Sequence, residues 1–398
     1  MDNLTHAFVG AAMAECAVPR ETASRTRIAM MAAGIVAANA PDVDLLYTNI
    51  TEEPLGYLLH HRGHSHTLPA LAALGLLIWW SLRLMPSLRS ELRGPQPRYV
   101  VLIAAALASH LLMDTANGYG THLFYPWSSR WVYGDAVFVL EPWLWAILGT
   151  TLALNSAWRA RVLLALVTLL LIGVLGAMGI LHRGVLVVML GVMGAAAAMM
   201  WTWPRRRRAA IARMTAAAIF LTMPIVSRVA KEAARRTLAG GGDGPVVDIV
   251  ADANPGVPWC WGVLTLQKGS DGSAGAMIAR RGTLSLLPSV WPAAACASAR
   301  LSARASTDLA ASAAIVWHRR WQIDGGALGA LATGNCRVRA WLQFGRVPYV
   351  ANGRIVDLRF ETPIGQNFTS MQLEGNSPTC PGRLTNWEWP RADVVPRP

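Results

Sequence analysis

Three apolar blocks constrain this chain more than any other feature. Arg159–Leu181, Gly184–Trp203 and Ala210–Val229 each come close to the ~20 residues needed to cross a hydrocarbon core. No soluble domain spaces three such runs with only short polar breaks between them. Composition agrees: hydrophobic residues make up 53% of the 398 residues and charged ones 15%, against about 25% charged in a typical soluble domain.

Earlier segments extend the pattern. Leu68–Met85 and Tyr99–Met113 are somewhat shorter but correctly flanked, and Pro142–Asn155 opens with Trp143 and Trp145, as at a membrane interface. His6–Val18 and Ile28–Ala40 read as half-spans or packed helices. The expected fold is an α-helical polytopic membrane domain of about eight helices followed by a β-rich soluble domain. The expected units are a metal-site helical domain over 1–155, further transmembrane helices over 156–232, a linker over 233–245 and a β-rich domain over 246–398.

The net charge of +13 would suit nucleic acid, but its distribution does not. Arginines stand at the ends of apolar blocks: Arg89, Arg93 and Arg98, then Arg159 and Arg161, then Arg205 to Arg208. That is the pattern of cytoplasmic anchors. With Arg205–Arg208 inside and the spans alternating, the Arg20–Arg27 turn and the Arg83–Arg98 loop also fall inside. The opposite face receives the N-terminus, Pro41–Thr67, Asp114–Glu141, the His182-Arg183 turn and everything beyond about Lys231. Lys231, Arg235 and Arg236 depart from the rule. The N-terminus lacks a basic n-region and carries Asp2 and His6 before its first apolar run, so no secretory signal is expected.

Gly240, Gly241, Gly242 and Gly244 mark a linker, after which no span-length apolar run occurs. Pro245–Val250, Gly262–Gln267, Ala340–Phe344 and Ile355–Phe360 read as strands. Cys260, Cys296, Cys336 and Cys380 lie there, and Cys16 ends the first helix. An even set outside the membrane implies two disulfides of unspecified connectivity, with four buried thiols as the alternative. Asp308, His318 and Asp324 are scattered, and His182 and His318 read as interfacial and surface residues. The tryptophans of this region read as core.

Chemistry-bearing residues gather in the first 145 positions. Thr5-His6 opens the first helix, Pro41-Asp42-Val43-Asp44 ends the second, and His60-His61-Arg62-Gly63-His64-Ser65-His66-Thr67 precedes the third. Ser109-His110 and Asp114 close the fourth, followed by His122, Gly134-Asp135 and Glu141. His110 and Asp114, four apart, share a helical face. Imidazole with carboxylate suits a divalent ion of the zinc type. Asp42 and Asp44 can ligate or bridge, and the Arg62 fork suits an anionic oxygen. Each element alone is weak: Asp42 could be a cap and Asp135 a turn residue. Gathered near a membrane, such costly groups point to function. The expected ligands are a subset of His6, Asp42, Asp44, His61, His66, His110 and Asp114, with one or two ions. Asp44 or Asp135 would take a proton from water, and Arg62 would stabilise negative charge.

These motifs resemble the YdjM/YbcI-type family of membrane-bound, metal-dependent hydrolases of bacterial and archaeal inner membranes. Its early Gly/Thr-His, Pro-Asp-x-Asp, His-Arg-Gly-x-Thr-His-Ser and Ser-His-x-x-x-Asp units stand here in order, with the Thr and Ser of the third exchanged at Ser65 and Thr67. The resemblance covers roughly residues 1–150. A more distant similarity is to the helical zinc-dependent phospholipase C and P1-nuclease proteins, but a second His-x-x-x-Glu pair is absent after Asp114. The resemblance implies a metal-dependent hydrolase in the inner membrane with membrane lipids as neighbours, and the distant similarity implies an ester or phosphoester substrate such as a lipid head group; the arginine pattern puts the site and the C-terminal domain on the periplasmic side. Two other readings stand beside it: a metal- or proton-handling transporter, and a membrane anchor for a periplasmic binding domain.

Overall fold

The computed structural model describes residues 1–17, 24–85, 97–238, 244–269, 275–296, 312–360, 367–373, 380 and 384–395. Arg20, Arg89, Arg93, Gly240, Gly241, Gly242 and Asp308 lie outside the described residues. The helices are α1 (Asn3–Ala17), α2 (Ser24–Asn39), α3 (Leu55–His60), α4 (Leu68–Leu84), α5 (Pro97–Thr115), α6 (Pro142–Asn155), α7 (Trp158–Ala177), α8 (Arg183–Met200) and α9 (Arg205–Leu238). Short helices also cover Ala293–Cys296, Gly325–Gly334 and Cys336–Trp341.

Among the described residues, five helical stretches are long and apolar enough to cross a membrane: Thr26–Ile50, α5, α7, α8 and α9. Leu55–His66 and α4 form a sixth only if counted as one span bent by 70°. At 15 and 14 residues, α1 and α6 fall short of a span and are instead packed elements. α1 crosses α2 where Gly10 meets Gly34: a Cβ on either glycine would collide with the other's carbonyl. Small residues at such crossings replace the hydrophobic drive that lipid surroundings remove. By contrast α7 and α8 leave Leu163, Leu166, Leu170, Val187 and Val188 exposed.

α9 is longer than the run Ala210–Val229 suggested. Its 34 residues extend ~51 Å, some ~20 Å beyond a hydrocarbon core, and its last turns pack against the sheet. The basic residues that broke the arginine rule are ion-paired here: Lys231 with Asp135, Arg235 and Arg236 with Glu232.

The C-terminal region holds an antiparallel sheet in the order β1 (Val246–Asn254), β2 (Val257–Lys268), β3 (Ala276–Ser285) and β4 (Ile315–Asp324). A smaller antiparallel sheet contains β5 (Pro348–Ala351), β6 (Arg354–Asp357) and β7 (Met371–Gln372). Two expectations are corrected. Ala340–Phe344 is a helix end and turn: Asn335 caps Cys336–Trp341 by accepting from the Arg337 and Val338 amides, and the chain leaves it at Leu342. His318 is buried in β4, 2.8 Å from Thr283 Oγ1. Cys260 pairs with Cys296 and Cys336 with Cys380, at Cα separations of 5.4 and 5.1 Å, and Cys16 is free. The sheet region and the membrane helices share cores. One joins Leu55, Leu58, Leu59, Tyr119 and Trp131 to Trp341, Phe344 and Trp387.

Candidate metal centre

Four chain segments meet at one end of the bundle, each stopped where its polar residue is needed. α2 gives way at Ala40-Pro41 to a 3-10 segment, Ala40–Ile50, which carries Asp42 and Asp44. Proline tolerates such a start because its missing N–H costs nothing there. After α3 the chain turns through His61 and Arg62, with Arg62 at a φ of 58°. A further 3-10 turn places His66, and Thr67 then caps α4 by accepting from the Ala70 amide at 3.2 Å. The last turn of α5 brings His110 and Asp114.

The nitrogens and oxygens converge tightly. His66 Nε2 lies 3.0 Å from His110 Nε2, 3.4 Å from Asp42 Oδ1 and 3.2 Å from Asp114 Oδ2. His110 Nε2 lies 3.6 Å from Asp42 Oδ1 and 3.4 Å from Asp114 Oδ2. A tetrahedron of ligands ~2.0–2.1 Å from a central ion has edges of about 3.3–3.4 Å. All five distances fall around that value.

The chemistry of the four atoms also calls for a cation. His110 Nδ1 can only donate to the Ala38 carbonyl, at 2.6 Å, which leaves a lone pair on Nε2. His66 Nδ1 faces Asp44 Oδ2 at 3.1 Å and Ser65 Oγ at 3.0 Å, which again fixes the proton on Nδ1. Two imidazole lone pairs thus face two carboxylate oxygens, and Asp114 Oδ2, fully buried, has no hydrogen-bond partner among the described residues. Apart from the ion pair of Arg62 Nε with Asp114 Oδ2 at 3.0 Å, these four acceptors meet one another, an arrangement that a further positive charge would stabilise. Asp42, Asp44 and His61 supply a second group within ligand range, so Asp42 belongs to both.

Asp44 is occupied by its neighbours. Its oxygens accept from the Arg62 amide at 2.8 Å and Ser65 Oγ at 2.6 Å, and lie 3.0 Å from His61 Nδ1. A carboxylate on the far nitrogen of a ligating histidine orients the ring and raises its basicity. Arg62, also buried, puts Nε 3.0 Å from Asp114 Oδ2, donates from Nη1 to Asn117 Oδ1 at 2.9 Å, and lies over the Tyr119 ring. His6 stacks on His110 with ring centres 3.8 Å apart and places Nε2 3.3 Å from Asp114 Oδ1, outside both ligand groups. The Met1 amino group contacts the same oxygen.

Other histidines of the motif point elsewhere. His60 Nε2 meets Thr51 Oγ1 at 2.8 Å, and His64 packs on Trp387 and Tyr125. His122 stacks between Trp131 and Trp387, where burial pushes its imidazole down to about 3. Asp135 belongs to neither ligand group. Its carboxylate is bound by Lys231 at 2.6 Å and by Arg346 at 2.9 Å, in a buried network with Asp248. Glu141 caps α6, and burial lifts it to about 7. Sequence reasoning missed Ala38, Ser65, Asn117 and Tyr119. Ser65 alone carried a signal, as a hydroxyl inside the histidine box; Ala38 acts through its carbonyl, and Asn117 and Tyr119 act from the turn just after α5.

Comparison with known proteins places this arrangement in context. Residues 1–185 match the family model described as YdjM inner membrane protein. The uncharacterized protein YfhP of Bacillus subtilis (strain 168) is 26% identical over 166 residues, which are 40% of this chain and 47% of that protein. The chain thus spans about half the length of this curated relative. No solved structure matches. The matched stretch contains every residue of both ligand groups, so it is the metal-site half of the chain that is similar to the YdjM inner membrane protein family.

Proposed function

We propose that the chain is a membrane-bound, metal-dependent hydrolase, with its site at the periplasmic face and an ester or phosphoester such as a lipid head group as substrate. One observation carries this reading: His66, His110, Asp42 and Asp114 present four lone pairs at tetrahedral spacing in a buried site. Zinc suits two nitrogens and two oxygens so placed. Asp42, Asp44 and His61 would hold a second ion. A bound ion lowers the pKa of its water to about 7 and polarises an ester oxygen. Arg62, fixed against Asp114 and Asn117, would steady negative charge on the substrate. Asp44 and Asp135, both held by donors, serve better as positioning groups.

The test is metal analysis of the purified full chain together with hydrolysis of phosphoester lipids in vesicles. Wild type should carry one or two zinc ions, and His110→Ala and Asp114→Ala should lose them and the activity. Equal, negligible metal in wild type and variants would overturn the reading. Bound metal with flux across liposomes and no hydrolysis would favour the transport alternative.

A further inference from the structure

A groove of about 970 Å³ runs along the helices that carry His6, His110 and Asp114, from Pro97 to Ala116 on the α5 side. Its floor is Val9, Ala12 and Met13 of α1 with Leu144 and Leu148 of α6, and its walls are α5 and α9. Wall residues Val101, Leu112 and Leu221 are exposed, so the groove opens sideways to the surroundings of the spans. Its volume lies at the top of the ~300–1,000 Å³ range of ligand sites.

The lining is apolar except at one end. There Arg98 of α5 and Arg213 of α9 stand beside Cys16, and among the described residues none that lines the groove is acidic. Neither arginine has an acidic partner among the described residues. From Arg98 to Met113, α5 rises ~22 Å, more than the ~15 Å of one leaflet's hydrocarbon. Arg98 therefore stands at the end of α5 remote from the metal centre with Arg213 beside it, and the apolar channel behind them is longer than a leaflet.

We infer that this groove is a binding site for one anionic phospholipid, with its phosphate between Arg98 and Arg213 and an acyl chain along α1 and α5. Charge selects the occupant. Two cations from different helices flank one mouth of an otherwise apolar cleft, whereas an apolar partner helix would leave both charges unmatched. Ser109 and Met113, which line the groove, neighbour His110 and Asp114, so the lipid chain would buttress the turn that bears two ligands.

Native mass spectrometry of the full chain tests this, with phosphatidylglycerol and phosphatidylcholine of identical acyl chains offered in turn. Wild type should retain one phosphatidylglycerol and prefer it about tenfold or more, given ~1 kcal/mol per basic residue near an anionic surface. Arg98→Gln with Arg213→Gln should abolish the preference, and Ala217→Trp should displace both lipids by filling the groove. Arg207→Gln, an anchor stacked on Trp203 away from the groove, should change nothing. Equal retention of the two lipids, an equal loss in Arg207→Gln, or a lipid-free dimer that Ala217→Trp dissociates would each overturn the inference.

Discussion

Asp42 and Asp44 stand two residues apart and look interchangeable on paper, yet the backbone gives them different work. In a 3-10 segment their side chains diverge: Asp42 Oδ1 faces the two imidazole nitrogens, while Asp44 is clasped by Ser65, His61 and the Arg62 amide. Substitution should separate the roles. Asp42→Asn removes a ligand from both groups and should abolish stoichiometric metal binding, as measured by metal analysis after dialysis. Asp44→Asn keeps the primary four-atom set and should weaken it by the ~10–100-fold typical of lost supporting partners. If Asp44→Asn empties the site as completely as Asp42→Asn, Asp44 is itself a primary ligand. Arg62 obeys the same logic. Its left-handed φ of 58° is uncommon for a residue other than glycine, and it aims the amide at Asp44 while the side chain reaches Asp114. Arg62→Lys should retain metal, and under the hydrolase reading it should lower turnover of an anionic substrate, because a point charge cannot serve Asp114 and Asn117 together.

Elements were legible where one strong physical rule governs them. The spans announce themselves by apolar length, and the ligand motifs sit at helix ends because α2 and α5 stop there. The divergence of the four histidines was not legible, since alternation in a turn region depends on φ values that sequence does not state. β3 and β4 were missed because Arg280-Arg281 and His318-Arg319-Arg320 interrupt their apolar runs, although Arg280 pairs across from Arg320 in register. Ala340–Phe344 misled in the opposite direction: a short apolar run suits either strand or helix, and the Asn335 cap decides for helix. Asn335→Ala should accordingly cost ~1 kcal/mol, the usual worth of an N-cap. The neighbouring Cys336–Cys380 bond closes a loop of sequence separation 44 and ties that helix to Cys380. On the chain-entropy account Cys380→Ser should cost about 4 kcal/mol, measured as loss of protection of Cys336–Trp341 in hydrogen exchange.

At the scale of the molecule, α9 and a buried charge network fasten the sheet region over the metal end of the bundle. Arg346 binds Asp135 and Asp248 together, Lys231 of α9 joins Asp135, and Arg359 donates to the Gly118 carbonyl at 2.8 Å. Cutting a buried pair on one side costs ~3–5 kcal/mol, and Arg346→Met should fall at the low end because Lys231 stays with Asp135. Asp252 of β1 makes this attachment sensitive to pH. Burial lifts its carboxyl to about 6 and Asp135 adds to the rise, while Arg281 and Arg359 oppose it. The folded value lies above the unfolded one of ~3.9, so the folded state holds the proton more tightly. Its contribution is therefore complete below about pH 4 and is lost as the pH rises through about 6. Hydrogen exchange of β1 and β2 should show stronger protection at pH 5 than at pH 7, by on the order of 1–2 kcal/mol. Asp252→Asn should flatten that dependence and raise protection at pH 7. If the variant keeps the full pH difference, the sensitivity belongs to another group, and Glu141, lifted to about 7 at the start of α6, would be next to replace.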